Sequence, residues 1–253
     1  MTTATHSNWI NKVPEITLIF WIIKIAATTL GETGGDAVSM SMSLGYLVGT
    51  VIFATVFVAA VIAQIKAKAF QPFLYWTTII ATTTVGTTLA DFADRSLGIG
   101  YAGGSTLLLA LLFGSLFIWH RSLGSVSVNT INSPKAEMFY WTTIMFSQTL
   151  GTALGDWTAD TAGLGYTGAA MVFAVLLALV VVVYYWTNVS RTLLFWAAFI
   201  LTRPLGAVVG DFLDKPISAG GLALSRYSAS AGLLAFIVIS ILLFKHRAAE
   251  KAH

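Results

Sequence analysis

The chain has 253 residues, of which 57% are hydrophobic and only 10% are charged. So apolar a composition excludes a soluble globular domain, because too few charged side chains are present to cover a water-exposed surface. The absence of cysteine excludes disulfides and thiolate metal sites, and the net charge of +3 is not gathered into a nucleic-acid-binding patch. The sequence therefore predicts an integral membrane protein that binds no nucleic acid and has the lipid bilayer as its partner.

Eight apolar stretches follow one another along the chain, each close to the roughly 20 residues that cross a bilayer as a helix. They cover residues 14–35, 44–65, 72–92, 101–119, 137–158, 165–187, 192–213 and 224–244. An even number of spans places both chain ends on one side of the membrane. The prediction is an all-α membrane protein with eight transmembrane helices.

Lysine and arginine are concentrated on the side that carries the chain ends. The residues there are Lys12, Lys66, Lys68, Arg121, Lys135, Arg191, Lys245, Arg247 and Lys251, against Arg95, Lys215 and Arg226 on the other side. Because basic loops stay in the cytoplasm, we expect both termini to be cytoplasmic.

The odd-numbered spans carry one motif four times. Each copy opens with an aromatic residue followed by Trp21, Trp76, Trp141 or Trp196. Ten positions on comes Gly31, Gly86, Gly151 or Gly206, and after a small residue comes Asp36, Asp91, Asp156 or Asp211. Twenty-four positions after the tryptophan stands Gly45, Gly100, Gly165 or Gly220. The pattern predicts four parallel two-helix repeats at residues 12–68, 69–125, 134–189 and 190–247.

A polar central loop at residues 120–137 separates the second repeat from the third, so the chain forms two halves within a single membrane domain, 1–253. We expect a pseudo-fourfold or paired twofold arrangement about the membrane normal, with the odd helices at the centre. The aromatic–tryptophan pairs are expected to form an interfacial belt on the cytoplasmic side, together with Trp119, Tyr184, Tyr185 and Trp186.

Eight of the 11 acidic residues belong to the motif or follow it closely. They are Glu32, Asp36, Asp91, Asp94, Asp156, Asp160, Asp211 and Asp214. A motif aspartate lies about 22 Å along a helix from its tryptophan, near the outer edge of the hydrocarbon, and Glu32 lies about 6 Å deeper. The other acids, Glu15, Glu137 and Glu250, are expected to be surface charges.

Two basic residues fall within predicted spans. Lys24 lies one turn past Trp21, from which it can either snorkel to the cytoplasmic interface or face the interior. Arg203 is deeper, precedes Pro204, and is costly in a membrane unless it is paired; we expect it to pair with Glu32 or a motif aspartate. Its position is polar in every copy, with Thr28, Thr83 and Gln148 as its equivalents, which predicts an interior lining.

Carboxylates without cysteine or clustered histidine are hard oxygen ligands, suited to Mg²⁺, Mn²⁺, Ca²⁺, Na⁺ or H⁺. The histidines, His6, His120, His246 and His253, lie outside the spans, which argues against haem or buried zinc. Glycines on both sides of Glu32 would allow an unwound backbone with free carbonyls. The candidate metal ligands are Glu32, Asp36, Asp91, Asp156 and Asp211, and no cofactor beyond a bound cation is expected.

The same residues have a structural interpretation. An aspartate at a helix end can cap the next turn, and glycines spaced by four can let helices pack closely. The glycine before each even helix can be a turn residue only.

The fourfold pattern resembles a bacterial inner-membrane repeat family of unknown function, whose two-helix repeats carry a G-x-x-x-G-D core; the resemblance runs from Lys12 to about Lys245. Separately, Glu32-Thr33-Gly34-Gly35-Asp36 is similar to the E-x-G-D signature of cation/proton exchangers, although this chain has an additional glycine. The second resemblance implies a cation as substrate.

The leading hypothesis is a secondary transporter or exporter of a cation, with a divalent metal among the candidates. The eight acids would form the cation or proton path, and Arg203 and Lys24 would be intramembrane counter-charges. The alternatives are a non-transporting scaffold or accessory subunit, and a transporter of a small organic cation that contacts Trp157, Phe92, Phe212 and Tyr101. An enzyme is not expected, and the sequence allows an oligomer.

Overall fold

A computed structural model describes residues 11–249, and all regular elements in that range are helical. Eight α-helices follow in order: α1 Leu18–Asp36, α2 Gly45–Lys66, α3 Pro72–Asp91, α4 Gly100–Leu123, α5 Pro134–Asp156, α6 Gly165–Trp186, α7 Arg191–Asp214 and α8 Arg226–Leu243. The prediction of an all-α chain is confirmed. His6, Glu250, Lys251 and His253 lie outside the described residues.

Five helices of the described range, α2, α4, α6, α7 and α8, are long and apolar enough to cross a membrane. Their outward faces are lined with exposed large apolar side chains such as Val51, Phe117 and Val175. Such a surface is typical of a membrane protein. The helices α1, α3 and α5 are more polar because they carry threonines and charged residues, and most of those side chains are buried.

The odd helices form the centre of the molecule. In the helix ring, as we call α1, α3, α5 and α7, each member packs against two others: α1 on α3, α3 on α5, α5 on α7, and α7 back on α1. The ring is closed, and the central loop does not interrupt it. The predicted central position of the odd helices is therefore confirmed.

The even helices form an outer layer, and each packs mainly on the ring helix of the next repeat. α2 lies on α3, α4 on α5, α6 on α7, and α8 on α1. The chain segments that flank the helices also meet, since Pro14 and Ala248 form an isolated antiparallel bridge. Residues near the two chain ends thus lie on the same side of the ring.

The glycine at position ten makes room for the polar side chain of the neighbouring ring helix. A Cβ atom on Gly31 would overlap Thr83, one on Gly151 would overlap Arg203, and one on Gly206 would overlap Thr28. On Gly86 the same atom would come within 3.0 Å of the Gln148 backbone. The two repeated columns, glycine and polar residue, are therefore two sides of one helix contact.

Three of the four ring helices end at their motif aspartate. After Asp36, Asp91 and Asp156 the chain makes a five-residue π-helical turn, whereas α7 continues past Asp211 to Asp214. Gly45, Gly100 and Gly165 then begin the even helices with positive φ angles of 77°, 75° and 63°. Their predicted turn role is confirmed, because glycine adopts this conformation without steric cost.

Gly220 is likewise a turn residue, with a φ of 85°, but it does not begin the even helix that follows. It ends the 3₁₀ turn Ile217–Ala219, and α8 begins only at Arg226. The fourth repeat has a longer connection, so the match at position 24 does not reflect an equivalent place in the fold.

The aromatic–tryptophan pairs pack inside the ring, and the predicted interfacial belt is wrong for them. Each aromatic residue contacts the tryptophan of the next ring helix, with ring centroids 5.4 Å apart for Phe20 and Trp76 and 5.7 Å for Tyr75 and Trp141. The cycle closes through Tyr140 with Trp196 at 6.3 Å and Phe195 with Trp21 at 5.8 Å. This aromatic layer closes the ring near the chain ends. Of the other belt residues, Trp119 is buried too, and only Tyr184, Tyr185 and Trp186 are exposed.

Glu137 is not a surface charge as predicted. It is buried and lies 2.5 Å from the buried ammonium of Lys12. Lys12 also donates to the backbone oxygens of Gln64 and Ile65 at the end of α2. The pair thereby ties the segment before α1 to α2 and α5.

Candidate functional site

Arg203 lies where all four ring helices meet. From α7, its Nη2 atom lies 2.9 Å from the Glu32 carboxylate on α1 and donates to the hydroxyls of Thr87 on α3 and Thr152 on α5. The Arg203 side chain is fully buried, and the Glu32 side chain is only 4% exposed. The predicted pairing of Arg203 with Glu32 is present in the structure.

Sequence reasoning missed Thr87 and Thr152. Both stand eleven positions after their tryptophan, as Glu32 does, and Ala207 is the fourth member of that column. A comparison of the four copies at this position would have shown one acid, two hydroxyls and one small residue. The signal in this column is its polar character in three of the four copies.

The motif aspartates are paired with cations of the same chain. Arg95 lies between Asp91, at 2.8 Å, and Asp156, at 3.3 Å. Lys215 lies between Asp36, at 2.6 Å, and Asp211, at 2.9 Å. From the sequence alone, Arg95 and Lys215 are interpreted only as signals of membrane topology.

These two cations occupy equivalent positions in alternate repeats. Each stands 19 positions after its tryptophan, where the other copies have Met40 and Asp160. Each contacts its own repeat's aspartate and that of the next repeat around the ring. The aspartates are therefore held as two pairs, which gives this end of the fourfold ring a twofold pattern.

Three carboxylates converge at the contact of α1 with α7. Glu32, Asp36 and Asp211 each have an oxygen within 4.8 Å of the others, and all three residues are buried. Asp36 Oδ1 has no hydrogen-bond partner among the described residues. We call these three acids the carboxylate cluster. Arg203 and Lys215 are the two cations that lie within 2.9 Å of its oxygens.

Lys215 is the exposed member of this group, with 13% of its side chain accessible. It follows the last residue of α7. Burial lowers the pKa of Lys215, but the carboxylates of Asp211 and Asp36 outweigh that effect and hold the pKa above its ordinary value. Lys215 is therefore positively charged at neutral pH.

The remaining predicted site acids lie apart from the carboxylate cluster. Asp91 and Asp156 form the separate pair around Arg95. Asp214 binds Arg226 at 2.7 Å, and Arg226 also lies 3.7 Å from Asp36. Asp94 and Asp160 form no ion pair within residues 11–249, and Asp160 is exposed. The structure thus brings together three of the five predicted metal ligands.

Lys24 faces the interior and does not snorkel. Its side chain is fully buried, its ammonium lies 4.1 Å from the centre of the Phe199 ring, and it donates to the Thr202 hydroxyl at 3.4 Å. No carboxylate lies within salt-bridge distance of it in the described part of the chain.

The backbone around Glu32 is not unwound. α1 runs without a break through Gly31, Gly34 and Gly35 to Asp36, so its carbonyls are engaged in the helix. The glycines serve close packing instead, since a Cβ on Gly35 would lie 3.1 Å from Thr87. Side-chain oxygens are thus the available ligands at this end of the ring.

The aromatic residues predicted to contact an organic cation, Trp157, Phe92, Phe212 and Tyr101, make no cation–π contact within residues 11–249. Trp157 is 41% exposed. The two cation–π contacts within the described residues pair Lys24 with Phe199 and Arg191 with Tyr184.

Together these features define a helical repeat protein with an apolar outer layer and a charged, carboxylate-rich ring at its centre. The chain belongs to the family described as Repeat of Unknown Function (DUF347), whose model matches residues 19–70, 74–125, 139–190 and 194–249. The four predicted repeats are thereby confirmed. No curated protein and no solved structure matches the chain.

Proposed function

We propose that this protein is a secondary transporter of a cation, with its eight helices spanning a bacterial inner membrane and both termini in the cytoplasm. The observation that carries the proposal is the convergence of Glu32, Asp36 and Asp211 within 4.8 Å, deep in an otherwise apolar molecule. Two oxygens that bind one Ca²⁺ or Mn²⁺ at about 2.4 Å can be no more than about 4.8 Å apart. The spacing suits a hard cation.

In this proposal the ammonium of Lys215 and the guanidinium of Arg203 compete with the cation for the carboxylates. Lys215 and Arg203 then act as tethered substitutes for the cation, because ionised buried carboxylates are costly without compensation. Lys215 is the one to leave, since it is partly exposed and lies just beyond the end of α7. A cation entering from the side of Lys215 would displace its ammonium from Asp36 and Asp211.

The closed end of the ring supports gated transport rather than an open channel. The aromatic layer fills the ring near the chain ends, and Lys24 and Arg203 place two positive charges between that layer and the carboxylates. A cation could cross only after these groups move. Exchange of the Arg203–Glu32 bond for a bound cation would link occupancy to that movement.

Flux into proteoliposomes tests the proposal. We expect Glu32→Gln and Asp36→Asn to abolish cation-dependent flux, while Asp160→Asn, an exposed acid outside the carboxylate cluster, leaves it unchanged. Mn²⁺, Mg²⁺, Ca²⁺ and Na⁺ are to be supplied separately, each with and without a pH gradient. Equal flux in the wild type and both cluster variants would overturn the assignment.

A non-transporting scaffold is the second candidate. The observation that favours it is that every motif aspartate lies in an ion pair of the same chain. A scaffold would lose stability when its acids are neutralised, and added cations would not protect it against heat. A transporter is expected to be stabilised by the cation that it carries.

A further inference from the structure

A groove opens on the outer surface between α1, α6 and α7, near the side of the chain ends. Its volume is about 470 Å³, and residues 127–129 of the central loop border it at one end. Its walls are mainly apolar, with Ile25, Leu177 and Ala198 among them. It is separate from the carboxylate cluster, which lies farther along α1 and α7.

The groove lies at the contact of α1 with α7, which is open on its outer side. In the second repeat, Trp119 of α4 covers the contact of α5 with α7, with its ring 5.9 Å from that of Trp196. Trp119 is only 1% exposed. The equivalent residue of the third repeat, 43 positions after its tryptophan, is Tyr184 on α6, and it is 42% exposed.

Tyr184 is turned away because it engages Arg191. The guanidinium of Arg191 stacks 4.2 Å from the centre of the Tyr184 ring, and its Nη1 donates to the Tyr184 backbone oxygen. As a result Trp21 lines the groove and stays partly exposed, whereas the motif tryptophans Trp76, Trp141 and Trp196 are buried. The first tryptophan of the motif is thereby accessible from outside.

The two ends of the groove differ in character. Arg191 stands at the end near the chain termini and carries the only charge among the described residues of the lining. Thr202 marks the inner end, eleven residues along α7, or about 16 Å. Between them the walls are apolar. The groove thus combines a cationic end at the start of α7 with an apolar interior.

We propose that this groove binds an anionic phospholipid of the leaflet on the side of the chain ends, with the phosphate on Arg191 and an acyl chain between α6 and α1. A zwitterionic lipid would gain the acyl contact but less from the charge, because each basic residue near the surface adds to the attraction of anionic lipids. The proposal rests on insertion into a membrane and is independent of transport.

The bound lipid would lie against α1 and α7, the two ring helices that also carry the carboxylate cluster. Thr202 lines the groove and accepts a hydrogen bond from Lys24 of α1. The acyl chain would therefore fill the outer side of the α1–α7 contact as far as Thr202, the residue that precedes Arg203. Lipid occupancy is expected to stabilise this contact.

Retention of lipid by the purified full chain tests the proposal. Delipidated protein in detergent is to be mixed with phosphatidylglycerol and phosphatidylcholine of identical acyl chains, and bound lipid counted by native mass spectrometry. We expect preferential retention of phosphatidylglycerol. Arg191→Gln should lower it about fivefold, whereas Arg121→Gln, at the end of α4 beside the covered contact, should not.

Filling the groove tests the position of the acyl chain. Ala178→Phe adds an aromatic ring at an exposed position of the lining and should lower the retention of both lipids. Ala174→Phe, one turn along the same helix and outside the lining, is the matched control, and Val181→Trp is a second filling variant. Unchanged retention in both filling variants, or equal losses in Arg191→Gln and Arg121→Gln, would overturn the proposal.

Discussion

Arg203 and Glu32 are 171 residues apart in the chain, yet their side chains form a buried ion pair with the Nη2 and Oε2 atoms 2.9 Å apart. They meet because the ring closes: α7 of the last repeat packs on α1 of the first. Each residue is the exception in its column, since Arg203 replaces an uncharged polar residue and Glu32 replaces a hydroxyl or alanine. The two exceptions are thus complementary and lie at the contact that completes the fold.

Removing one partner of this pair should destabilise the protein more than removing both. Arg203→Leu leaves the Glu32 carboxylate buried without its counter-charge, a change that costs about 3–5 kcal/mol. In Arg203→Leu with Glu32→Leu the unpaired charge is absent, so we expect much of that loss to be recovered. Thermal unfolding in detergent gives the comparison as a double-mutant cycle.

Glu15→Gln is the control for this cycle, because Glu15 is exposed and lies outside the ring. If the double variant is no more stable than Arg203→Leu alone, the two residues do not act as a pair.

The glycines ten positions after each tryptophan are predicted to be needed for close packing of neighbouring ring helices, and not for an unusual backbone conformation. A Cβ on Gly31 would overlap Thr83, so Gly31→Ala should destabilise the ring by about 1–3 kcal/mol, as overpacking does. Adding Thr83→Ala removes the two closest atoms and should restore part of the loss. Gly114→Ala, in α4 with no atom near its Cβ position, should be neutral or slightly stabilising.

The measurement is again thermal unfolding, with the three variants and the wild type purified in the same detergent. Similar losses in Gly31→Ala and Gly114→Ala would show that the glycines matter for another reason.

Much of the fold followed from the sequence because repetition is a strong constraint. The tryptophan, glycine and aspartate columns predicted four repeats, eight helices and central odd helices. Gly220 is a turn residue like the other three, but the fourth connection is longer, so the spacing from the tryptophan does not by itself place the start of α8. The interfacial belt was also wrong, since an aromatic residue at a predicted membrane boundary can face either lipid or a neighbouring helix.

The three carboxylates of the cluster were among the predicted ligands, but the pairing of Asp36 and Asp211 with Lys215 was not predicted. Glu32, Asp36 and Asp211 do meet, as candidate ligands should, but Lys215 looked like a loop charge with a topological role. Its contact with Asp36 joins residues 179 positions apart. Only the closure of the ring brings α7 beside α1, and no local pattern in the sequence reports that closure.

Loss of Lys215 should make the carboxylate cluster responsive to added cations. Lys215→Gln leaves Asp36 and Asp211 without their shared ammonium, so the variant should unfold at a lower temperature than the wild type. Millimolar Mn²⁺ or Ca²⁺ should then raise its unfolding temperature more than that of the wild type, because binding to the folded state stabilises it. Lys68→Gln, an exposed lysine after α2, is the control. An equal response to the metals in both variants would argue against a cation site.

Tyr75 and Tyr140 of the aromatic layer share a hydrogen bond between their hydroxyls. Removing both hydroxyls should destabilise the protein less than removing one. Tyr75 and Tyr140 are buried, and their hydroxyl oxygens are 2.7 Å apart. Tyr75→Phe leaves the Tyr140 hydroxyl buried without that partner and should cost about 1–3 kcal/mol, whereas Tyr75→Phe with Tyr140→Phe removes both polar groups and should be nearly neutral. The first and fourth repeats already have phenylalanine there, as Phe20 and Phe195. Thermal unfolding of the two single variants and the double variant checks this, and a double variant as unstable as the sum of the singles would contradict it.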